Sequence, residues 1–254
     1  IELDANITIS ESLSVPLGEV DVVTNANQLI AALEGEVSNT TYRNMDGDTI
    51  LGGNGDDIIF GDSINVAGLP WEQVGNPTEQ KLGLDGLKQF LNLINGSEAN
   101  DEELHQFISE NHDTYQLFDE SLDALSSVLG KGDTLDGGEG DDILYGQGGA
   151  DTIIGGLGYD ILTGGDDADI FKWVDGDLDG STDRISDFSI AEGDKVDLSD
   201  LFADAPTQQQ VTELLDNIEV EGGEVNSAMV VEKDGQQVKI EFDGLSAADL
   251  TNSL

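Results

Sequence analysis

From Gly137 to Lys172 the chain runs in nines: GGEGDDILY, GQGGADTII, GGLGYDILT, GGDDADIFK. Each unit follows G-G-x-G-x-D-x-U-x, with an Asp at the sixth position and a large apolar residue, U, at the eighth. A flexible acidic linker would not also place an apolar residue two positions after every Asp. The phased pattern predicts a parallel solenoid whose interior is filled by the eighth-position side chains. Three more units lie upstream in the same register. Val128 to Asp136 keeps only Asp133 and Leu135, Gly52 to Phe60 matches fully with Asp57 and Ile59, and Arg43 to Leu51 keeps Asp48 and Ile50.

The segment between the two repeat blocks has helical spacing instead. Leu84, Leu87, Phe90, Leu91 and Ile94 mark one helix, and Leu104, Phe107 and Ile108 a second. Leu117, Phe118, Leu122, Leu125 and Leu129 mark a third. Asn95-Gly96 is a stop for the first, Asp113 a start for the third and Gly130 its end. The apolar stripes are read as an insertion packing its own small core, with a dedicated binding groove as the other possibility. Trp71 sits in the loop before these helices. His105 and His112 are seven apart with no HExxH and no third ligand, which argues against zinc.

At Trp173 the pattern changes again. Val211 to Ile218 is expected to be helical, and Ala228 to Glu232 with Gln237 to Phe242 is expected to pair as a hairpin around Asp234-Gly235. Near the start, Asn6 to Ser10 alternates like a strand and Asn25 to Leu33 is compatible with a helix. The chain thus divides into an N-terminal segment or end of a preceding module (1–42), a first repeat block (43–61), a helical insertion (62–127), a second repeat block (128–172) and a C-terminal cap (173–254). The expected class is mainly β: a parallel β-roll with a helical insertion and an α+β C-terminal cap.

Charge sets the conditions under which such a chain can compact. It carries 54 Asp and Glu against 9 Lys and Arg, a net charge of -45. Self-repulsion on that scale opposes folding unless cations neutralise it. With 37% hydrophobic residues over 254 positions there is still material for a core once they do. Such acidity argues against nucleic acid or an anionic membrane as partner. There is no cysteine, so neither disulfides nor thiolate metal sites are available. No apolar run reaches the ~18 residues of a membrane span, and Ile1-Glu2-Leu3-Asp4 has no secretory leader character. The expectation is a fragment, or export by another signal.

Carboxylates beside glycine-rich turns are the ligand set of a hard, oxygen-seeking cation, since glycine at φ > 0 can turn backbone carbonyls inward. Calcium, as several ions, is the expected metal. The candidate ligands are Asp48, Asp57, Asp133, Asp142, Asp151, Asp160 and Asp169, with the turn glycines Gly53, Gly55, Gly138, Gly140, Gly156 and Gly158. A separate candidate is Asp175-Gly176-Asp177-Leu178-Asp179-Gly180, which fits the D-x-D-x-D-G opening of a calcium loop. Ser186 stands where an EF-hand requires Glu, so an EF-hand is rejected.

The repeat array resembles the RTX family of Gram-negative secreted proteins, the haemolysin-type calcium-binding repeats. The resemblance implies that two consecutive nonapeptides make one turn, with calcium between repeats of the same parity. Asp142 would then face Asp160, while Asp133, Asp151 and Asp169 would line the opposite edge. If the insertion leaves the stack continuous, Asp48 falls beside Asp133 and Asp57 beside Asp142. Asp46 and Asp167 depart from the pattern at the fourth position, Gln147 at the second, and the Val128 unit lacks its leading glycines, which leaves the sites in those turns open. Arg184 to Phe188 and Gly193 to Ser199 resemble the segment that closes the solenoid in type I secreted proteins.

The order of insertion, repeats and closing segment most resembles the C-terminal end of large RTX adhesins. That implies calcium-dependent folding and type I secretion of an extracellular or surface protein of a Gram-negative bacterium, used in attachment and biofilm. It also implies the type I secretion apparatus as a partner, with no membrane insertion and an adhesion target the sequence does not name. The alternatives are the RTX tail of a secreted protease, lipase or toxin, and a ligand-binding module carried by the insertion. No HExxH or G-x-S-x-G is present and the chain is not read as an enzyme. Ice or polysaccharide binding by the roll face is disfavoured, because the fifth repeat position is irregular: Gly47, Asp56, Gly132, Asp141, Ala150, Tyr159, Ala168.

Overall fold

The roll is built from short strands that each begin just after a repeat aspartate. A computed structural model of the protein describes residues 7–9, 48–62, 64–78, 80–118, 131–202, 206–216, 218–223 and 225–253. Within the repeats, positions seven to nine carry β-branched and aliphatic residues such as Thr152-Ile153-Ile154, which favour extended backbone. The following glycines turn the chain over to the opposite sheet. The strands are β1 (Ile7–Ile9), β2 (Thr49–Asn54), β3 (Ile58–Phe60), β4 (Thr134–Glu139), β5 (Ile143–Gly148), β6 (Thr152–Leu157), β7 (Ile161–Asp166) and β8 (Ile170–Lys172). Odd strands from β1 to β7 form one parallel sheet and even strands from β2 to β8 the other.

Pairing across the insertion is in register. Ile50 lies opposite Leu135 and Leu135 opposite Ile153 in one sheet, and Ile59 opposite Leu144 and Leu144 opposite Leu162 in the other. The stack therefore passes the insertion without a break. Ile50, Ile59, Leu135, Leu144, Ile153, Leu162 and Phe171, the eighth-position residues, are all at most 4% exposed and belong to one core. Burying each such side chain is worth about 1.5–3 kcal/mol.

The closing segment extends both sheets by one strand. β9 (Thr182–Ile185) pairs in parallel with β7, and β10 (Lys195–Asp197) with β8. Two later strands, β12 (Ser227–Lys233) and β13 (Gln236–Phe242), form the expected hairpin, with both turn residues at positive φ, Asp234 at 56° and Gly235 at 81°. β13 pairs in parallel with β9, and β11 (Glu219–Gly222) adds an antiparallel edge to β12. The cap thus continues the roll's own sheet, eight strands wide in total, and Met229, Val231, Val238 and Ile240 join the same core.

Two cap helices complete it, α3 (Gln208–Asp216) and α4 (Ala247–Ser253). The first starts upstream of the expected Val211 and ends before Ile218. Thr207 and Gln210 set its start: the Gln210 backbone N–H donates to Thr207 Oγ1, and the Thr207 N–H donates back to Gln210 Oε1.

In the insertion, α1 (Gly83–Asn95) stops at Gly96 in the left-handed region, as its sequence implies. α2 (Asp101–Asn111) opens on a reciprocal capping box between Asn100 and Glu103. Trp71 starts a short 3-10 turn and donates its indole N–H to the Val66 carbonyl at 2.9 Å. The expected helix start at Asp113 is not found: residues 112–118 are turns, because Gln116 takes φ of 50° and the Leu117 N–H folds back to the His112 carbonyl. The remainder of that stretch, the start of the Arg43 unit and Asn25 to Leu33 lie outside the described residues. The insertion has its own core, including Trp71, Leu84, Leu87, Phe90, Leu104 and Ile108, and it rests on Phe60 and Tyr145 from the outward face of the roll.

Candidate metal centre

Along each edge of the roll the repeat aspartates are threaded together by one repeating hydrogen bond. On one edge the Asp57 N–H donates to Asp142 Oδ1 at 2.7 Å and the Asp142 N–H to Asp160 Oδ1 at 2.9 Å. On the other, Asp48 donates to Asp133 at 2.6 Å, Asp133 to Asp151 at 2.6 Å and Asp151 to Asp169 at 2.8 Å. All seven aspartates thus stand in two files, in the parity expected, with Asp48 half-buried and the others buried.

The second carboxylate oxygen is where the chemistry lies. Oδ2 of Asp133, Asp142, Asp151, Asp160 and Asp169 is buried and has no hydrogen-bond partner. An unpartnered buried carboxylate oxygen is costly, so it must take a proton or a cation. Without a cation, burial favours the protonated form. Burial pushes Asp151 up to about 9, Asp133 and Asp160 to about 8, Asp169 to about 7 and Asp142 to about 6, the backbone N–H donors pulling the other way and neighbouring aspartates adding to the rise.

The glycine turns bring carbonyl oxygens to the same place. A Cβ on Gly137 would lie 2.5 Å from the Gly155 carbonyl oxygen and collide with Asp142 Oδ2. Gly138, at φ of 103°, would drive a Cβ into the Gly53 carbonyl. Gly53, Gly55, Gly140, Gly156 and Gly158 share the left-handed conformation. So do the departures from glycine, Gln147 at 75° and Asp167 at 79°, which keeps those turns in shape despite the substitution. Among the described residues no three acidic or His side chains gather into a ready-made cluster. A cation here would complete its shell with backbone carbonyls, which is the habit of Ca²⁺ with its six to eight oxygen ligands.

The Val128 unit has its missing glycine elsewhere. A Cβ on Gly61 would lie 2.7 Å from Asp133 Oδ2 and collide with the Gly146 carbonyl, the counterparts of the Asp142 Oδ2 and Gly155 carbonyl that Gly137 meets one half-turn on. Gly61 and Asp62 therefore open the turn that Gly132 and Asp133 finish, and the insertion is set inside a single repeat. Asp62 is buried there, its N–H bonded to Gln147 Oε1 at 3.0 Å and its Oδ2 accepting from the Gly148 N–H at 3.0 Å.

The Asp175 loop does not assemble. Asp175 Oδ1 takes Lys233 Nζ at 2.7 Å, Asp177 Oδ2 accepts the Val174 N–H, and Asp179 accepts the N–H groups of Ser181 and Gly158. The three carboxylates serve separate partners because the loop closes the roll's end rather than wrapping one point. His112 is likewise structural: it caps α2 and shares a 2.8 Å hydrogen bond with the Tyr145 hydroxyl.

Two aspartates outside the candidate set continue the files, and a third lies beside them. The Asp160 N–H donates to Asp183 Oδ1 at 3.3 Å and the Asp169 N–H to Asp194 Oδ1 at 3.0 Å. Asp187 holds the Gly164 and Gly165 N–H groups, one on each oxygen, where β9 no longer covers β7. Asp183-Arg184-Ile185 and Asp194-Lys195-Val196 keep the D-x-U signature, which was the available signal; only the nine-residue interval is lost.

Four copies of the RTX calcium-binding nonapeptide repeat match the chain, at residues 45–63, 130–162 and 145–172. No curated protein matches. Among solved structures, the chain is similar to the R3 subunit of the Azotobacter vinelandii mannuronan C5-epimerase AlgE6, at 27% identity and a TM-score of 0.35, over 46% of this chain and 68% of that one. No described helix is long and apolar enough to cross a membrane. The files of Asp57 to Asp160 and Asp48 to Asp169 are thus the aspartates of RTX calcium-binding nonapeptide repeats, and these repeats form the parallel β-roll of this chain.

Proposed function

We propose that this chain is the calcium-dependent folding and type I secretion terminus of an extracellular bacterial adhesin. The observation that carries the calcium part is the set of buried, unpartnered Oδ2 atoms on Asp133, Asp142, Asp151, Asp160 and Asp169, in a chain of net charge -45. Calcium supplies the positive charge that lets these carboxylates be buried ionised. The residues that would hold it are the file aspartates together with the carbonyls of the glycine turns. Ion binding and folding are then one equilibrium. At low cytosolic calcium the chain stays expanded and threadable, and outside the cell ions make folding favourable.

The support for a terminus rather than a binding module is the cap. It shares one sheet and one core with the roll, as a cover for a solenoid's end does. The insertion directs Leu84, Leu87, Phe90, Leu91, Leu104 and Ile108 into a core shared with the roll, leaving Ile94 of the expected stripe exposed, which favours packing over a binding groove. The repeats are a structural calcium-binding element rather than a catalytic one.

The test has two readouts on the full chain. Far-UV circular dichroism is expected to report an expanded chain in chelator and a folded one at roughly 0.1–1 mM calcium, the range of extracellular modules. Magnesium is not expected to substitute, because its octahedral shell suits carbonyl-rich turns poorly. Native-like signal in excess chelator would end the calcium-folding proposal. In a strain carrying a type I apparatus, loss of export on removing residues 205–254 is expected, and undiminished export would refute the secretion role.

A further inference from the structure

The five orphaned oxygens stop at a definite place. Asp160 and Asp169 have an unpartnered Oδ2, but Asp183 and Asp194, next in the two files, do not. Asp183 is fully buried and repeats the file's hydrogen bond through Oδ1, yet its Oδ2 accepts the indole N–H of Trp173 at 2.7 Å. Asp194 also repeats it through Oδ1, and its Oδ2 accepts the Ser189 N–H at 2.7 Å. In the same turns Asp179 and Asp187 cover backbone N–H groups of Gly158, Gly164 and Gly165.

We propose that the ion array ends at Asp160 and Asp169, and that the Trp173 indole N–H and the Ser189 amide N–H take over, at Asp183 and Asp194, the oxygen that calcium takes in the turns before. This rests on the calcium-binding assignment of the file aspartates. An N–H donor satisfies a buried carboxylate oxygen as a cation does, without needing a shell of carbonyls around it. Trp173 suits the task because its ring is wholly buried in the shared core of roll and cap while its single polar atom reaches the file. The files can therefore terminate under the cap with no half-filled metal site left over. Asp183 and Asp194 carry the D-x-U signature of a repeat but bind no ion.

The test is the calcium count of the folded full chain by titration calorimetry. Asp183→Asn is expected to bind as many ions as the unsubstituted chain, whereas Asp160→Asn is expected to bind one fewer. If Asp183→Asn loses an ion, the terminator proposal is overturned while the file assignment stands. If Asp160→Asn loses none, it is the file assignment that fails, and the terminator proposal falls with it. A second measurement avoids any change to a carboxylate and serves if a variant does not fold. The Trp173 indole proton is followed by hydrogen exchange in the calcium-loaded chain, with Trp71→Phe used to assign it. Protection comparable to the β7 backbone amides is expected, and exchange at the rate of an exposed indole would mean that something other than Trp173 occupies Asp183.

Discussion

The ring of Tyr145, on the outward face of β5, lies parallel to that of Phe118 with centroids 4.5 Å apart, so the end of the insertion's described part is clamped to the roll by an aromatic stack. Phe60 stacks on the same ring at 5.3 Å and His112 bonds its hydroxyl. Tyr145→Ala is expected to cost about 3 kcal/mol, within the span of aromatic truncations. Hydrogen exchange should rise over residues 80–118 while the calcium count holds, since no file aspartate is touched.

A substitution at Gly61 probes the split turn. Gly61→Ala puts a methyl against the Gly146 carbonyl and Asp133 Oδ2, with the roll backbone unable to give way. A loss of about 1–3 kcal/mol is expected, seen as a higher calcium midpoint by circular dichroism. Gly223→Ala, which meets nothing within 4 Å, is the matched control and should move stability by no more than about 0.5 kcal/mol.

Acid should partly replace calcium. In the metal-free fold, burial raises the file carboxyls from 3.8 to between about 6 and about 9. A group whose folded-state value is raised stabilises the fold fully below its unfolded value and loses that contribution as pH climbs through the folded one. The metal-free chain is therefore expected to gain structure as pH falls from about 9 towards about 4, with alkaline chelator solutions showing the least and near-neutral ones standing between. Calcium needs the ionised form, so its apparent affinity should fall over the same acid range. Far-UV spectra in chelator across pH, beside calcium titrations at each pH, would check both signs.

The interior column is the other point of sensitivity. Leu162→Ala, at a wholly buried eighth position, is expected to cost about 2–5 kcal/mol. Leu51→Ala on the outward face, where the side chain is 62% exposed, should cost about 0.5 kcal/mol or less. Urea midpoints measured at one fixed calcium concentration would separate them.

The roll was legible because each repeat position answers to one physical demand: φ > 0 and close carbonyls at Gly138, a core contact at Leu144, a file partner at Asp142. Gly61 was not legible, since sequence distance hides that it and Asp133 share a turn. Asp183 and Asp194 escaped because the closing loops are of unequal length and break the period, though not the D-x-U pattern. The Asp175 loop misled in the opposite direction, as alternating carboxylates say nothing of the Lys233 that waits for one of them. The turn at Gln116 was missed because an apolar stripe through Leu117 and Phe118 looks the same whether its residues lie on a helix or are pinned to a neighbouring sheet.

The split turn also makes the insertion a guest that could be cut out. Joining Asp62 directly to Gly130 would leave Gly-Asp-Gly-Lys-Gly-Asp-Thr-Leu-Asp, a nine-residue unit with its sixth-position Asp133 and eighth-position Leu135 in frame. The host roll would keep its phase, and the outward-facing Phe60 and Tyr145, which the insertion now covers, would be left to solvent. Insertion there costs the scaffold little because both ends of the guest leave and return within one loop, so the same seam could accept a foreign domain of similar end-to-end spacing and display it on a calcium-folded carrier.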